Sequence, residues 1–194
     1  MDVSFGKDPV PHMLISDFFA PNEYDVVWHE LMWLKPKLKE RERYLADEAD
    51  KAVKFTEYGL AIEELLQHNR RFSDTVLCYN KIFSDLLAEQ LVKFDPIYNY
   101  TRNVTNNITA VRLFNNFDTW TKHKDAALFT CICHMNKLLS PARGGALVFS
   151  ESGKEIVLKD NQLIMFPSYI DYEFTTVEYD NDDDFSFLLT RLMW

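Results

Sequence analysis

The sequence predicts an α+β chain, mainly β, in which residues 1–107 supply a strand and bracing helices and residues 108–194 supply a strand-built core. Three observations predict it. Apolar residues recur at helical spacing only in the first part, at Tyr24, Val27, Trp28 and Leu31 and again at Phe83, Leu86, Leu87, Leu91 and Phe94. From Ile108 onward the pattern changes to short apolar or alternating runs separated by turn sequences. Finally, 194 residues with 47% hydrophobic and 14% aromatic content can bury one sizeable core, so 1–194 is read as a single domain. With 5 Gly and 7 Pro the chain has no material for a long linker.

Each element has a local reason. Met13–Phe19 reads as a short strand running into Ala20, Pro21 and Asn22, a helix start with Glu23 and Asp25 in the first turn, where carboxylates suit the helix dipole. The charged run Lys35–Arg43 and the acidic patch Asp47–Asp50 read as solvated loop or edge. Residues 72–98 read as a longer helix, stopped where Asp95-Pro96 forbids continuation. Asn103–Asn107 is a turn-rich connector. Strands follow over Ile108–Phe114, Phe129–Met135, Ala146–Phe149, Glu155–Leu158 and Gln162–Phe166, with Ser150–Lys154 as a hairpin turn. Two facing sheets of such strands make a sandwich with a ligand-holding mouth, the double-stranded β-helix or jelly roll.

The candidate chemistry lies at Trp120–Asn136, where His123-Lys124-Asp125 precedes the strand Phe129–Met135. Side chains two residues apart on an extended backbone point the same way, so His123 and Asp125 can grip one metal ion together. With one further histidine they would complete a 2-His-1-carboxylate triad, which leaves coordination positions of a ferrous ion open. On the strand itself Thr130, Ile132 and His134 share one face, and Cys131, Cys133 and Met135 share the other.

Residues 108–194 resemble the catalytic half of the iron- and 2-oxoglutarate-dependent dioxygenases of prolyl hydroxylase type. The matching pieces, in order, are ITAVRLF, HKD, FTCICHMN, GGALVF, EIVLKDNQLIMFPS and FSFLLTRLM. The resemblance implies a jelly-roll core, Fe(II) held by His123 and Asp125, and 2-oxoglutarate as cosubstrate. It places His134 where the family has a tyrosine that touches the cosubstrate, so His134 is expected inside the pocket.

Two departures accompany the resemblance. The family's distal histidine follows the Phe-Pro-Ser stretch, but no histidine occurs after His134, and Tyr172 takes that position. A neutral phenol is a poor ligand for a ferrous ion. Asp171 and Glu173 have the opposite strand parity unless the backbone bulges. The family's cosubstrate-binding base would fall within the acidic tract Asp180–Asp184, which leaves Arg191 or Arg112 as the cation. His123, Asp125 and His134 are expected to line one cavity, with Arg112 or Arg191 near its floor.

Composition narrows the function classes. Thirty acidic against 21 basic residues give a net charge of −9, which argues against a phosphate-backbone binder, so no nucleic-acid partner is expected. Residues 1–19 carry Asp, Lys and two prolines where a signal peptide's apolar run would lie, and no run has membrane-spanning length. The expectation is a soluble, cytoplasmic protein. Cys78, Cys131 and Cys133, an odd set without C-x-x-C spacing, suit buried free thiols in a reducing compartment. The Asn99, Asn103 and Asn107 sequons are then expected to stay bare.

Two readings of function follow. One is an oxygenase that hydroxylates a C–H bond, for instance of a proline in a polypeptide substrate. The other is a dioxygenase fold that has lost catalysis and serves as a binding or structural subunit among partner chains. The short length resembles small bacterial and phage members, which makes a virion one form of that second reading.

Overall fold

The computed structural model describes residues 1–8, 10–47, 60–66, 69–137 and 142–194. Two antiparallel strands, β1 (Asp2–Gly6) and β2 (His12–Ser16), open the chain. They lead into helix α1, Pro21–Asp47. Its start is built as the sequence indicates: Pro21 takes the first helical position, and Glu23 reaches back to accept from the Ala20 backbone N–H at 2.8 Å. The helix does not stop before the charged run. Lys35–Arg43 is helical, contrary to the loop reading, because Leu34 and Leu38 continue the buried stripe of Val27 and Leu31 through Pro36. Residues 48–50 of the acidic patch lie outside the described residues.

A second correction concerns residues 72–98. The expected long helix is divided into α3 (Asp74–Tyr79), a 3₁₀ turn (Asn80–Phe83) and α4 (Asp85–Phe94), after the short β3 (Leu60–Ala61) and α2 (Ile62–Leu65). Serines make the divisions. Ser73 caps α3 by accepting from the Val76 N–H at 3.0 Å, and Ser84 takes an extended backbone ahead of α4. Of the apolar stripe, Leu87 and Leu91 are buried, whereas Leu86 is 67% exposed. A 3₁₀ segment, Pro96–Asn103, then leads to the strands.

Nine of the described residues' strands follow β4 (Asn107–Phe114): β5 (Trp120–His123), β6 (Phe129–Met135), β7 (Arg143–Gly144), β8 (Leu147–Phe149), β9 (Lys154–Ile156), β10 (Gln162–Pro167), β11 (Tyr172–Phe174), β12 (Val177–Glu178) and β13 (Ser186–Met193). They complete a seven-stranded sheet, ordered β1-β2-β10-β6-β13-β4-β3, a four-stranded sheet β5-β11-β8-β9 and the pair β12-β7. At Gly144 the backbone is left-handed, and a side chain there would meet the Thr176 carbonyl, so only glycine lets β7 approach β12.

The large sheet has two different faces. One packs on the helices through Leu31, Leu34, Val76, Tyr79, Val111 and Leu189. The other faces the four-stranded sheet across Ile132, Ile164, Phe166 and Leu188 on one side and Trp120, Phe149, Tyr172 and Phe174 on the other. The architecture is therefore a mixed helix and antiparallel-sheet arrangement in which strands predominate. No helix of the described residues is long and apolar enough to cross a membrane.

Candidate functional site

His123 ends β5, and its ladder partner on β11 is Tyr172. The Trp120 ring stacks on the His123 imidazole, with centroids 4.6 Å apart, and the Tyr172 ring lies 4.3 Å away on another side. His123 Nδ1 is 2.8 Å from the Thr121 carbonyl. A carbonyl only accepts, so this contact places a proton on Nδ1 and leaves the Nε2 lone pair available. Nε2 is buried without a hydrogen-bond partner and lies 4.0 Å from Asp125 Oδ1. The structure thus brings the His123 and Asp125 side chains together.

Asp125 is almost fully buried, and its other oxygen, Oδ2, is held by two hydroxyls. The Tyr172 O–H donates to it at 3.0 Å, and the Thr130 O–H donates to the same atom. Since the Thr130 proton is spent there, the 2.8 Å contact between Thr130 and Ser168 has Ser168 as donor. Ser168, Thr130, Tyr172 and Asp125 form one buried chain of hydrogen bonds.

The metal-ligand set stops at two. Tyr172 sits at the third position, but as a hydroxyl that donates to Asp125, packed against Phe166 and Trp120. Among the described residues no group of three or more His, Cys, Asp or Glu is arranged to hold a metal ion. Asp171 and Glu173 do not supply a substitute: Asp171 pairs with Lys122 at 3.3 Å, and Glu173 lies between two inward residues, Tyr172 and Phe174, and so points outward. The residues present do not fit a complete facial triad.

The remaining candidates are dispersed, and this corrects the expected single cavity. His134 lines a cavity of about 290 Å³ between the sheets, whose wall includes Phe114, Phe174, Val177, Ser186 and Leu188 but neither His123 nor Asp125. Burial lowers the His134 pKa below its ordinary value, against the smaller raising effects of Asp160 and the Lys159 and Leu158 carbonyls.

Arg191 is not near that floor. Its position on β13 is one residue past Thr190, so it points to the helix side, where it donates to Thr109 Oγ1, Asn80 Oδ1 and the Val76 carbonyl and stacks on Tyr79. Burial lowers its pKa to about 10, partly opposed by Tyr79. Arg112 does share the interior face, opposite Leu188 in the ladder, but its guanidinium lies over the Trp120 and Phe114 rings. It is not among the residues lining the His134 cavity.

Sequence reasoning did not single out Trp120, Thr130 as an Asp125 donor, or Tyr179, whose O–H donates to Ser186 Oγ at 2.8 Å. Thr130 was legible in principle, since it shares the parity of Ile132 and faces the same interior.

No family model matches the chain, and no curated protein matches its sequence. Solved structures do resemble it. A prolyl-4-hydroxylase from Pseudomonas putida aligns over 94% of this chain and 86% of its own, at 15% identity and a TM-score of 0.55. A 2OG-Fe(II) oxygenase family oxidoreductase from Burkholderia pseudomallei aligns over 62% of this chain and 57% of its own, at 10% identity and a TM-score of 0.44. An IDO from Bacillus thuringiensis aligns over 57% and 59%, at 16% identity and a TM-score of 0.39. The chain thus spans less than two thirds of the length of these last two. The near-complete overlap with the Pseudomonas enzyme extends through the helices as well as the sheets, and on it the chain has an oxygenase-like fold.

Proposed function

We propose that the facing sheets are a double-stranded β-helix whose oxygen chemistry has been lost, and that the protein acts as a binding or structural subunit of a larger assembly. One observation carries this reading. The residue at the third ligand position, Tyr172, uses its O–H to hold Asp125 Oδ2 and its ring to fill the space beside His123. A carboxylate fixed by Tyr172 and Thr130 is a structural group. It needs no cation to satisfy that oxygen. The position of Arg191 on the helix side supports the same reading, because a dicarboxylate cosubstrate would lack that base.

A second reading, a 2-oxoglutarate-dependent oxygenase acting on a polypeptide side chain such as proline, is favoured by one contact. His123 Nε2 and Asp125 Oδ1 converge at 4.0 Å, as two ligands of one ferrous ion would. Anaerobic titration of the full chain with ferrous iron and 2-oxoglutarate separates the two. The expected result is no visible charge-transfer band and no succinate release. A band with turnover, abolished by His123→Ala, overturns the proposal.

A further inference from the structure

We propose that β1 is a docking edge for a second copy of this chain, pairing antiparallel with β1 of that copy about a two-fold axis at Ser4. β1 is the outermost strand of the seven-stranded sheet, and among the described residues none hydrogen-bonds to its outer side. Such an edge is a row of unpaired N–H and C=O groups. The other edges of the two larger sheets are guarded. β3 is two residues long, β9 carries Lys154 and Glu155, and β5 carries Lys122. Over its five residues β1 has one charge, Asp2 at its start, and neither lysine nor proline.

The strand has two faces. Val3 and Phe5 stand opposite Ile15 and Met13 in the ladder and so face the helices, where Val3 packs on the core and Phe5 stacks on Phe94 of α4 with centroids 4.6 Å apart. Asp2 and Ser4 face the other way and are exposed. Beside Val3 a groove of about 310 Å³ separates the strand from the start of α4, lined by Met1, Val3, Leu86, Leu87 and Gln90. Apolar surface is left in water here: Leu86 is 67% exposed, Met1 60% and Phe5 37%. A strand added to β1 with an apolar residue opposite Val3 covers it.

Symmetry and charge select the occupant. When a strand pairs antiparallel with its own copy, opposed residues must face the same side of the sheet, so the axis passes through a residue rather than between two. An axis at Ser4 pairs all five residues of β1. It sets Phe5 of the second copy opposite Val3, beside the groove, and the same axis makes the reverse contact. Asp2 then meets Gly6, whereas an axis at Phe5 would bring Asp2 against Asp8 of the second copy, and an axis at Val3 would leave Gly6 without an opposite residue in the strand. Like charges directly opposite each other destabilise a strand pair. A five-residue edge with two apolar grooves lies at the low end of specific interfaces, roughly 1,200 Å² in all, so self-association in the micromolar range is expected. The inference does not depend on whether the chain is catalytic.

Sedimentation equilibrium of the full chain from about 1 to 200 µM tests it, with circular dichroism reporting whether each variant is folded. The parent is expected to pass from monomer to dimer across that range. Ser4→Lys and Ser4→Glu, at an exposed position, each set like charges together on the axis and should weaken the dimer roughly threefold to fivefold, whereas an equal mixture of the two should recover the parent affinity. Phe5→Ser takes a ring from both grooves and should weaken it about tenfold. If that variant is unfolded, the Ser4 series decides alone. A parent that stays monomeric at the highest concentration overturns the inference, and so does a dimer that is indifferent to both Ser4 charges or that mixing the two charged variants fails to restore.

Discussion

The two faces of the seven-stranded sheet solve the burial of polar groups in opposite ways. On the helix side the large polar groups are satisfied. Arg191 donates to three acceptors, the Tyr79 O–H reaches the Leu189 carbonyl, and the Tyr98 O–H reaches the Pro11 carbonyl. Between the sheets, Trp120 Nε1, His123 Nε2, His134 Nδ1 and Thr190 Oγ1 are buried without hydrogen-bond partners. Among the described residues the helix side has such an atom in Thr75 Oγ1, so the unmet groups lie mainly between the sheets, although His123 and His134 serve different spaces there. An unmet buried polar atom costs about 1–3 kcal/mol. The helix side thus satisfies its polar groups, and the space between the sheets carries the cost of several that it does not.

Adjacent residues of β13 provide the sharpest way to break this contrast. Arg191→Ala should destabilise the protein by roughly 3–5 kcal/mol, because Thr109, Asn80 and Val76 all lose a donor and a large side-chain volume empties. Thr190→Val removes a hydroxyl of nearly equal size that has no partner, and should be neutral or stabilising by about 1 kcal/mol or less. Urea denaturation of both variants checks this. Equal losses would mean that the two faces do not differ as described.

The next pair compares packing. Leu189, fully buried against the helices, should cost about 3–5 kcal/mol on truncation to Ala, near the upper part of the usual range. Leu188 borders the interior cavity and already lacks atoms on one side, so Leu188→Ala should cost about 1–2 kcal/mol less than that. The same denaturation series reads it. A larger loss at Leu188 would show that the cavity is closed and tightly packed in solution.

These particular residues also show what the sequence made legible. The β half was readable because β4, β6, β10 and β13 are short, largely apolar runs, buried along most of their length, and because turn residues separate them. The parity of Thr130, Ile132 and His134 correctly gave one face of β6. Arg191 was misplaced because only pairing fixes which residues of β13 share the interior: Thr190 stands opposite Ile132, so its neighbour must face the helices. The division of residues 72–98 was hidden by a continuous apolar stripe, although Ser73 and Ser84 stood at the cap positions. The length of α1 was missed for the converse reason, as charged residues around Leu34 and Leu38 obscured the stripe. That His134 and His123 serve different spaces follows from packing alone.

A smaller effect is expected at Tyr172, and it tests the interior from its other end. Tyr172→Phe removes one donor from Asp125 Oδ2 while Thr130 keeps the other, so the loss should be about 1–2 kcal/mol. Tyr172→His trades the phenol for a nitrogen donor next to His123 in the β5-β11 ladder. Cobalt(II) absorption should then report a site at least tenfold tighter than that of the parent, in which two ligands are aligned. No gain with the fold intact would mean that His123 and Asp125 are not poised to share a cation.

The smallest expected effect is the acid limb of stability, and its sign follows from linkage. Burial lowers the pKa of both His134 and His12 below the ordinary 6.5, so the unfolded chain binds protons that the folded one refuses as pH falls from about 6.5 toward the folded values. Stability is therefore whole above that window and is lost on acidification, by no more than about 1.4 kcal/mol per pH unit for each proton. The two histidines differ in a useful way. His12 Nδ1 meets the Val10 carbonyl at 2.9 Å, which favours its charged form and opposes the effect of burial. His134 also feels raising contributions, from Asp160 and the Lys159 and Leu158 carbonyls, but its Nδ1 has no partner to accept a second ring proton. Protonation at Nδ1 would leave a buried donor unpaired. Hence His134→Gln should flatten the slope between pH 6.5 and 5 more than His12→Gln, as measured by urea midpoints at each pH. A slope governed by His12 instead would mean that the buried Nδ1 of His134 does not set the acid limb.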